Sequence, residues 1–145
     1  MISVTPASDS GGWAVDTSVA VAALDESHAA HLSCRPVVAQ RRPALAGHAG
    51  FETYSVLTRL PGPQRASPAL VSNVLARAFP IRCWLDQTHQ NDLLERLGDL
   101  GITGGMVYDA LVGESARRVG RVLLTRDGRA QRTYDLLGVS DELLT

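Results

Sequence analysis

The sequence predicts an α/β fold, a three-layer α/β/α sandwich around a central and mainly parallel sheet. Three observations lead to it. Short runs rich in apolar residues, Trp13–Val15, Ile81–Leu85 and Arg121–Thr125, have the length of buried strands. Helical patterns separate them, as crossover connections between parallel strands require. The first and last of these runs are followed by an acid, Asp16 and Asp127, at the carboxyl edge where sheets of this class place their ligands.

The elements follow in chain order. Residues 1–11 carry Pro, Ser and Gly without periodicity and are expected to form a flexible leader, with a single folded domain over 12–145. Trp13-Ala14-Val15 is the first strand, and Thr17-Ser18 offer hydroxyl caps to a helix through SVAVAALDE. Ser27–Ser33 reads as a short second helix stopped by Pro36, because proline lacks the N–H that a helix interior uses. Ala44–Leu60 reads as one helix: Thr53, Val56, Leu57 and Leu60 recur at helical steps, and Pro61-Gly62-Pro63 ends it. Ser67-Pro68, a cap followed by a helical proline, opens the next helix, which runs to Phe79-Pro80. After the strand Ile81–Leu85, Asp86 is an N-cap for the helix that carries Leu93, Leu94, Leu97 and Leu100. Gly104-Gly105 precede a helix from Met106 to Gly120, and Arg121–Thr125 is the clearest strand. The last helix, Arg129–Leu137, stops at Gly138, the usual left-handed terminator, and Val139–Leu144 adds an edge strand.

Composition limits the function classes. The 145 residues are 45% apolar and 20% charged, a mixture that buries a core and does not suit a disordered chain. No run approaches the roughly 20 apolar residues of a membrane span, and the first residues lack a signal peptide's basic start and apolar run, so a cytoplasmic protein without membrane association is expected. Cys34 and Cys83 are too few for a disulfide framework and read as reduced, buried thiols. Net charge is −1, so any grip on nucleic acid has to come from a local patch. All 14 basic residues are arginine, and Arg117, Arg118, Arg121, Arg126, Arg129 and Arg132 share one stretch with only Glu114 and Asp127 as acids. Guanidinium forks suit phosphate, and they equally suit surface pairing.

Chemistry-bearing residues are mostly acids. Glu52 sits on the Ala44–Leu60 helix beside its apolar stripe, with His48 one turn away. Asp109 falls in the middle of its helix, with Gly105 and Gly113 one turn to either side. Each glycine weakens a helix interior by about 1 kcal/mol, so either the space is used to bare the carboxylate, or Gly105 is a helix-start residue and Gly113 lets a neighbouring helix pack closely. Carboxylates brought together raise one another's pKa, and a hard divalent cation relieves the conflict with oxygen ligands, retained waters and substrate phosphate. His28 and His31 have no partners that complete a zinc site. Ser18 lacks a nucleophile-elbow motif, and no phosphate-binding glycine loop is present.

Taken together, AVDTSV, FETYSVLTRLP, GGMVYDALVGESA and VLLTRDGRAQRTYDLLGV resemble the PIN-domain ribonucleases of the VapC toxin family, over roughly Trp13 to Leu144. The resemblance implies that Asp16, Glu52, Asp109 and Asp127 form a magnesium site, with manganese as an alternative ion. Ser18, Thr17 and Thr125 would support its geometry, and Asp127 would act through water. Arg126 and Arg129 become phosphate-binding candidates. Also implied are cleavage of structured RNA by magnesium-activated water, a homodimer, and inhibition by a VapB-like antitoxin of a type II toxin-antitoxin pair. Two other readings of the residues stay open: a PIN-fold module that acts by binding antitoxin or RNA with little turnover, and a phosphatase with Asp16 as nucleophile. The latter lacks a second aspartate two residues after Asp16.

Overall fold

A computed structural model describes residues 11–145; all but the last residue of the expected leader lies outside them. Five strands, β1 (Trp13–Val15), β2 (Ala44–Ala46), β3 (Arg82–Cys83), β4 (Val122–Thr125) and β5 (Asp141–Leu143), form one sheet in the order β3-β2-β1-β4-β5. Every pairing is parallel, including the edge strand β5, so the sheet is wholly parallel where a mainly parallel one was expected.

The helices are α1 (Thr17–Leu24), α2 (His31–Arg41), α3 (His48–Thr58), α4 (Pro68–Ala78), α5 (Gln87–Arg96), α6 (Met106–Arg118) and α7 (Gly128–Leu137). From β1 the chain moves outward to β2 and β3, then returns to β4 and moves outward the other way. Right-handed crossovers therefore put α1 to α4 over one face and α5 to α7 over the other, which makes the three layers. Helix α1 packs on α2 and α3, α3 on α4, and α6 on α7. The direction of travel reverses between β1 and β4, where a parallel sheet opens a crevice at its carboxyl edge. Helices α3 and α6 also meet, so residues from all four elements can reach that crevice.

The core is built largely from small residues. Ala14, Ala44 and Ala46 are fully buried beside Val15, Leu45, Leu123 and Leu124 on the strands. Cys34 and Cys83 are buried, as expected.

Three expectations require correction. Ala44–Ala46 is a strand, not the first turn of the following helix: Ala44 and Leu45 pair with Ala14 and Val15, and Leu45 and Ala46 with Arg82 and Cys83. Gly47 divides strand from helix with φ +40, and a Cβ there would stand 2.7 Å from the Cys83 carbonyl oxygen, so the bend needs glycine. The second helix is α2, not Ser27–Ser33, and Pro36 lies inside it. The hydrogen bond that Pro36 cannot make would go to the carbonyl of Leu32, whose side chain is 88% exposed, so that turn of the helix faces water. Ser27 belongs to a turn in which its amide and hydroxyl both donate to Asp25 Oδ1. Strand β3 is limited to Arg82–Cys83 within the expected Ile81–Leu85.

Candidate metal centre

Asp16 leaves the end of β1 and caps α1. Its Oδ1 accepts from the Ser18 hydroxyl at 2.6 Å and from the Val19 amide at 3.3 Å, and its Oδ2 accepts from the Tyr134 hydroxyl at 2.8 Å. The residue is 4% exposed, and burial raises its pKa against the pull of these donors. Ser18 also accepts from the Arg126 amide at 2.8 Å, which ties the exit of β1 to the exit of β4. Thr125 is buried at that second exit, and its hydroxyl accepts from the Asp127 amide at 3.0 Å. Asp127 then caps α7, Oδ1 accepting from the Arg129 and Ala130 amides. Both strand-end aspartates are thus helix caps as well as occupants of the crevice.

The other two acids come from helices. Glu52 stands in the second turn of α3, and burial lifts its pKa; His48 and Thr17 lower it, and the charge of Asp16 raises it further. Asp109 lies in the first turn of α6 and not in its middle, because Gly105 is the N-cap. A carboxylate in a first helical turn is ordinarily favoured in its charged form. Here the opposite wins: burial first, then the charges of Asp127, Glu52 and Asp16, push Asp109 up to about 6.

All four acids line one open cavity of about 270 Å³, together with Thr17, Ser18, Val112 and Tyr134. They are neighbours without being a closed cage: among the described residues no three acidic, histidine or cysteine side chains stand close enough to enclose an ion by themselves. A hard divalent cation that keeps several waters needs only one or two of these carboxylates and no closed protein cage. The donor set is oxygen throughout. The buried Thr17 hydroxyl lies beside Glu52 in the same cavity and lowers its pKa. The residues present therefore fit a hard divalent cation.

Sequence comparison identifies the family of this fold. The family model of the PIN domain matches residues 14–136. The chain is a PIN-domain protein of the VapC family. Ribonuclease VapC27 of Mycobacterium tuberculosis is 44% identical over 126 residues, 87% of this chain and 92% of the relative. Ribonuclease VapC40 of the same species is 44% identical over 133 residues, 91% and 98% of the two chains.

The arginine-rich stretch of this VapC-family chain divides. Arg117 and Arg118 bind Glu114, and Arg118 also binds Asp92 at 2.8 Å, so these two are not a free basic patch. Arg121 is buried and donates to the Trp13 carbonyl. What remains near the acids is Arg126, whose Nε is buried without a partner, and exposed Arg129. Asp86 caps α5 as expected, accepting from the His89 amide at 2.8 Å, and His28 and His31 make local backbone hydrogen bonds. His48 stacks on Tyr108, with ring centroids 5.2 Å apart. Tyr134 was not singled out by sequence reasoning, since no motif links it to Asp16, 118 positions away. Gly113 was the one available signal, with its alternative of close helix packing.

Proposed function

We propose that this chain is a magnesium-dependent endoribonuclease, the toxin of a type II toxin-antitoxin pair, which hydrolyses phosphodiesters in structured RNA. One observation supports it above the others: four carboxylates line a single cavity, and Asp109 is driven up to about 6 by burial and by its acidic neighbours. Such a site gains when a divalent cation enters. Asp16, Glu52, Asp109 and Asp127 would hold magnesium, or manganese in its place, with Asp127 acting through water. The chemistry that a bound cation supplies there is Lewis acidity toward a phosphodiester and toward water.

The chain's own residues do the rest. Ser18, Thr17 and Thr125 fix the strand ends from which Asp16 and Asp127 project, and Arg126 and Arg129 grip phosphate at the rim. The same reading includes a cytoplasmic homodimer and a VapB-like antitoxin that blocks the cavity. Phe51 and Trp84, 64% and 55% exposed and packed edge to face, offer apolar surface for a protein contact. Sedimentation against the 15.5 kDa chain mass tests the dimer.

A PIN-fold module that binds antitoxin or RNA with little turnover is the second reading, favoured by the lack of a closed three-ligand cluster among the described residues. End-labelled structured RNA incubated with magnesium, and then with chelator, separates the two. The nuclease reading expects cleavage that chelation stops and that Asp16→Asn reduces by more than about a hundredfold, beyond the effect typical of residues that merely support a metal ligand. Full cleavage or full growth inhibition by Asp16→Asn would falsify it.

A further inference from the structure

Tyr134 contributes the one phenol in the acidic cavity, and its ring is 1% exposed on α7. Its approach depends on Gly113 of α6. A Cβ at Gly113 would stand 2.8 Å from Tyr134 Cδ1, 3.2 Å from Cε1 and 3.2 Å from Val139 Cγ2. Since the ring is buried between two packed helices, it has no easy way to retreat. A helix-interior glycine costs about 1 kcal/mol relative to alanine. What it permits here is a ring close enough to α6 for its hydroxyl to reach across to β1.

Asp16 shows what that reach accomplishes. A carboxylate has about four acceptor sites. Oδ1 receives Ser18 and the Val19 amide, and Oδ2 receives Tyr134. Thr125 at the end of β4 also lends the carboxylate a hydrogen bond, so Tyr134 is the donor that reaches it from α7. We infer that Tyr134, admitted by Gly113, is a positioning residue that fixes the orientation of the Asp16 carboxylate toward the cavity where a divalent cation would be held. This rests on the metal-site reading above. Without the phenol, the carboxylate loses its one donor from α7 and is freer to turn about its Cβ–Cγ bond, so a cation would lose a pre-set ligand.

The test is a double-mutant cycle read by magnesium and manganese binding calorimetry on the full chain without RNA, beside thermal unfolding of the metal-free protein. Tyr134→Phe removes the hydroxyl and keeps the ring, and is expected to weaken both ions about tenfold. Gly113→Ala displaces the ring and is expected to weaken them comparably. Added to Tyr134→Phe, however, it should change affinity by less than about twofold, because its effect runs through the hydroxyl already lost. Multiplying losses overturn the inference. So does lower thermal stability with unchanged ion affinity, the signature of packing alone. If Gly113→Ala does not fold, Tyr134→Phe decides by itself: weaker binding supports the inference, unchanged binding overturns it. Failure of the unmodified chain to bind either ion overturns both the inference and the metal site, whereas normal binding by that chain and by Tyr134→Phe overturns the inference alone.

Discussion

Two carboxylates sit on α6, Asp109 and Glu114, and the protein treats them in opposite ways. Glu114 is fully buried, and burial alone would raise its pKa; Arg117, with Arg118 and Arg96, outweighs that and holds it below the ordinary carboxylate range. Asp109 is half-buried, faces three further acids, and is pushed up to about 6. The helix backbone and the residue class are the same. Supplied cations make Glu114 a structural ion, while the absence of any arginine paired to Asp109 among the described residues leaves a charge that an outside cation can satisfy. A carboxylate's partners, more than its burial, separate a scaffold from a site.

The largest effect expected from breaking this contrast is at Glu114. Glu114→Gln leaves three guanidinium groups around a neutral buried amide. The arginines are about one-third exposed and can turn toward water, so the loss is about 2 kcal/mol, less than for a fully enclosed pair. Urea unfolding measures it, and magnesium affinity should stay within about twofold. A protein as stable as the original would show that the cluster is incidental.

Asp109→Asn should do the reverse. Removing a charge that its neighbours oppose raises the thermal midpoint of the metal-free protein by about 2–4 °C and weakens magnesium binding. A lower midpoint together with normal ion binding would show that Asp109 is a structural residue like Glu114.

The smallest effect is in pH dependence, where the two acids pull in opposite directions. Asp109 holds its proton more tightly folded, at about 6, than unfolded, at 3.8, so the stability linked to it is present at low pH and is lost as pH rises through about 6. Glu114 is lowered when folded, so its contribution is present above its unfolded value of 4.5 and is lost as pH falls. These two acids together therefore favour the metal-free fold most at about pH 4, between their unfolded values of 3.8 and 4.5, and Asp109→Asn should make the alkaline limb shallower. Saturating magnesium should flatten that limb too. An alkaline limb unchanged by both treatments would remove the electrostatic basis of the site.

Legibility in the sequence followed the range of the interaction. Caps were readable because they act over three residues: Asp86 with His89 and Ser67 with Leu70. The positions of Asp16 and Asp127 came from the same local grammar of strand, acid and helix. Ala44–Ala46 was not readable as a strand, since three small residues before a helical pattern carry no alternation, and only their burial between β1 and β3 makes them one. The six-arginine stretch looked basic in one dimension because its counter-charges include Asp92, on a different helix.

By itself, the sequence determined the α/β class and the acids at the ends of β1 and β4, because periodicity, capping and turn chemistry act between near neighbours, while Glu52 rested more on the family resemblance. Only the tertiary structure decided that Asp109 opens its helix, that α3 and α6 bring Glu52 and Asp109 to one cavity, and that Gly113 makes room for Tyr134 to hold Asp16. Those relations join residues as far as 118 positions apart. Chain order carries no distance between them until the parallel sheet and its two helical layers have closed.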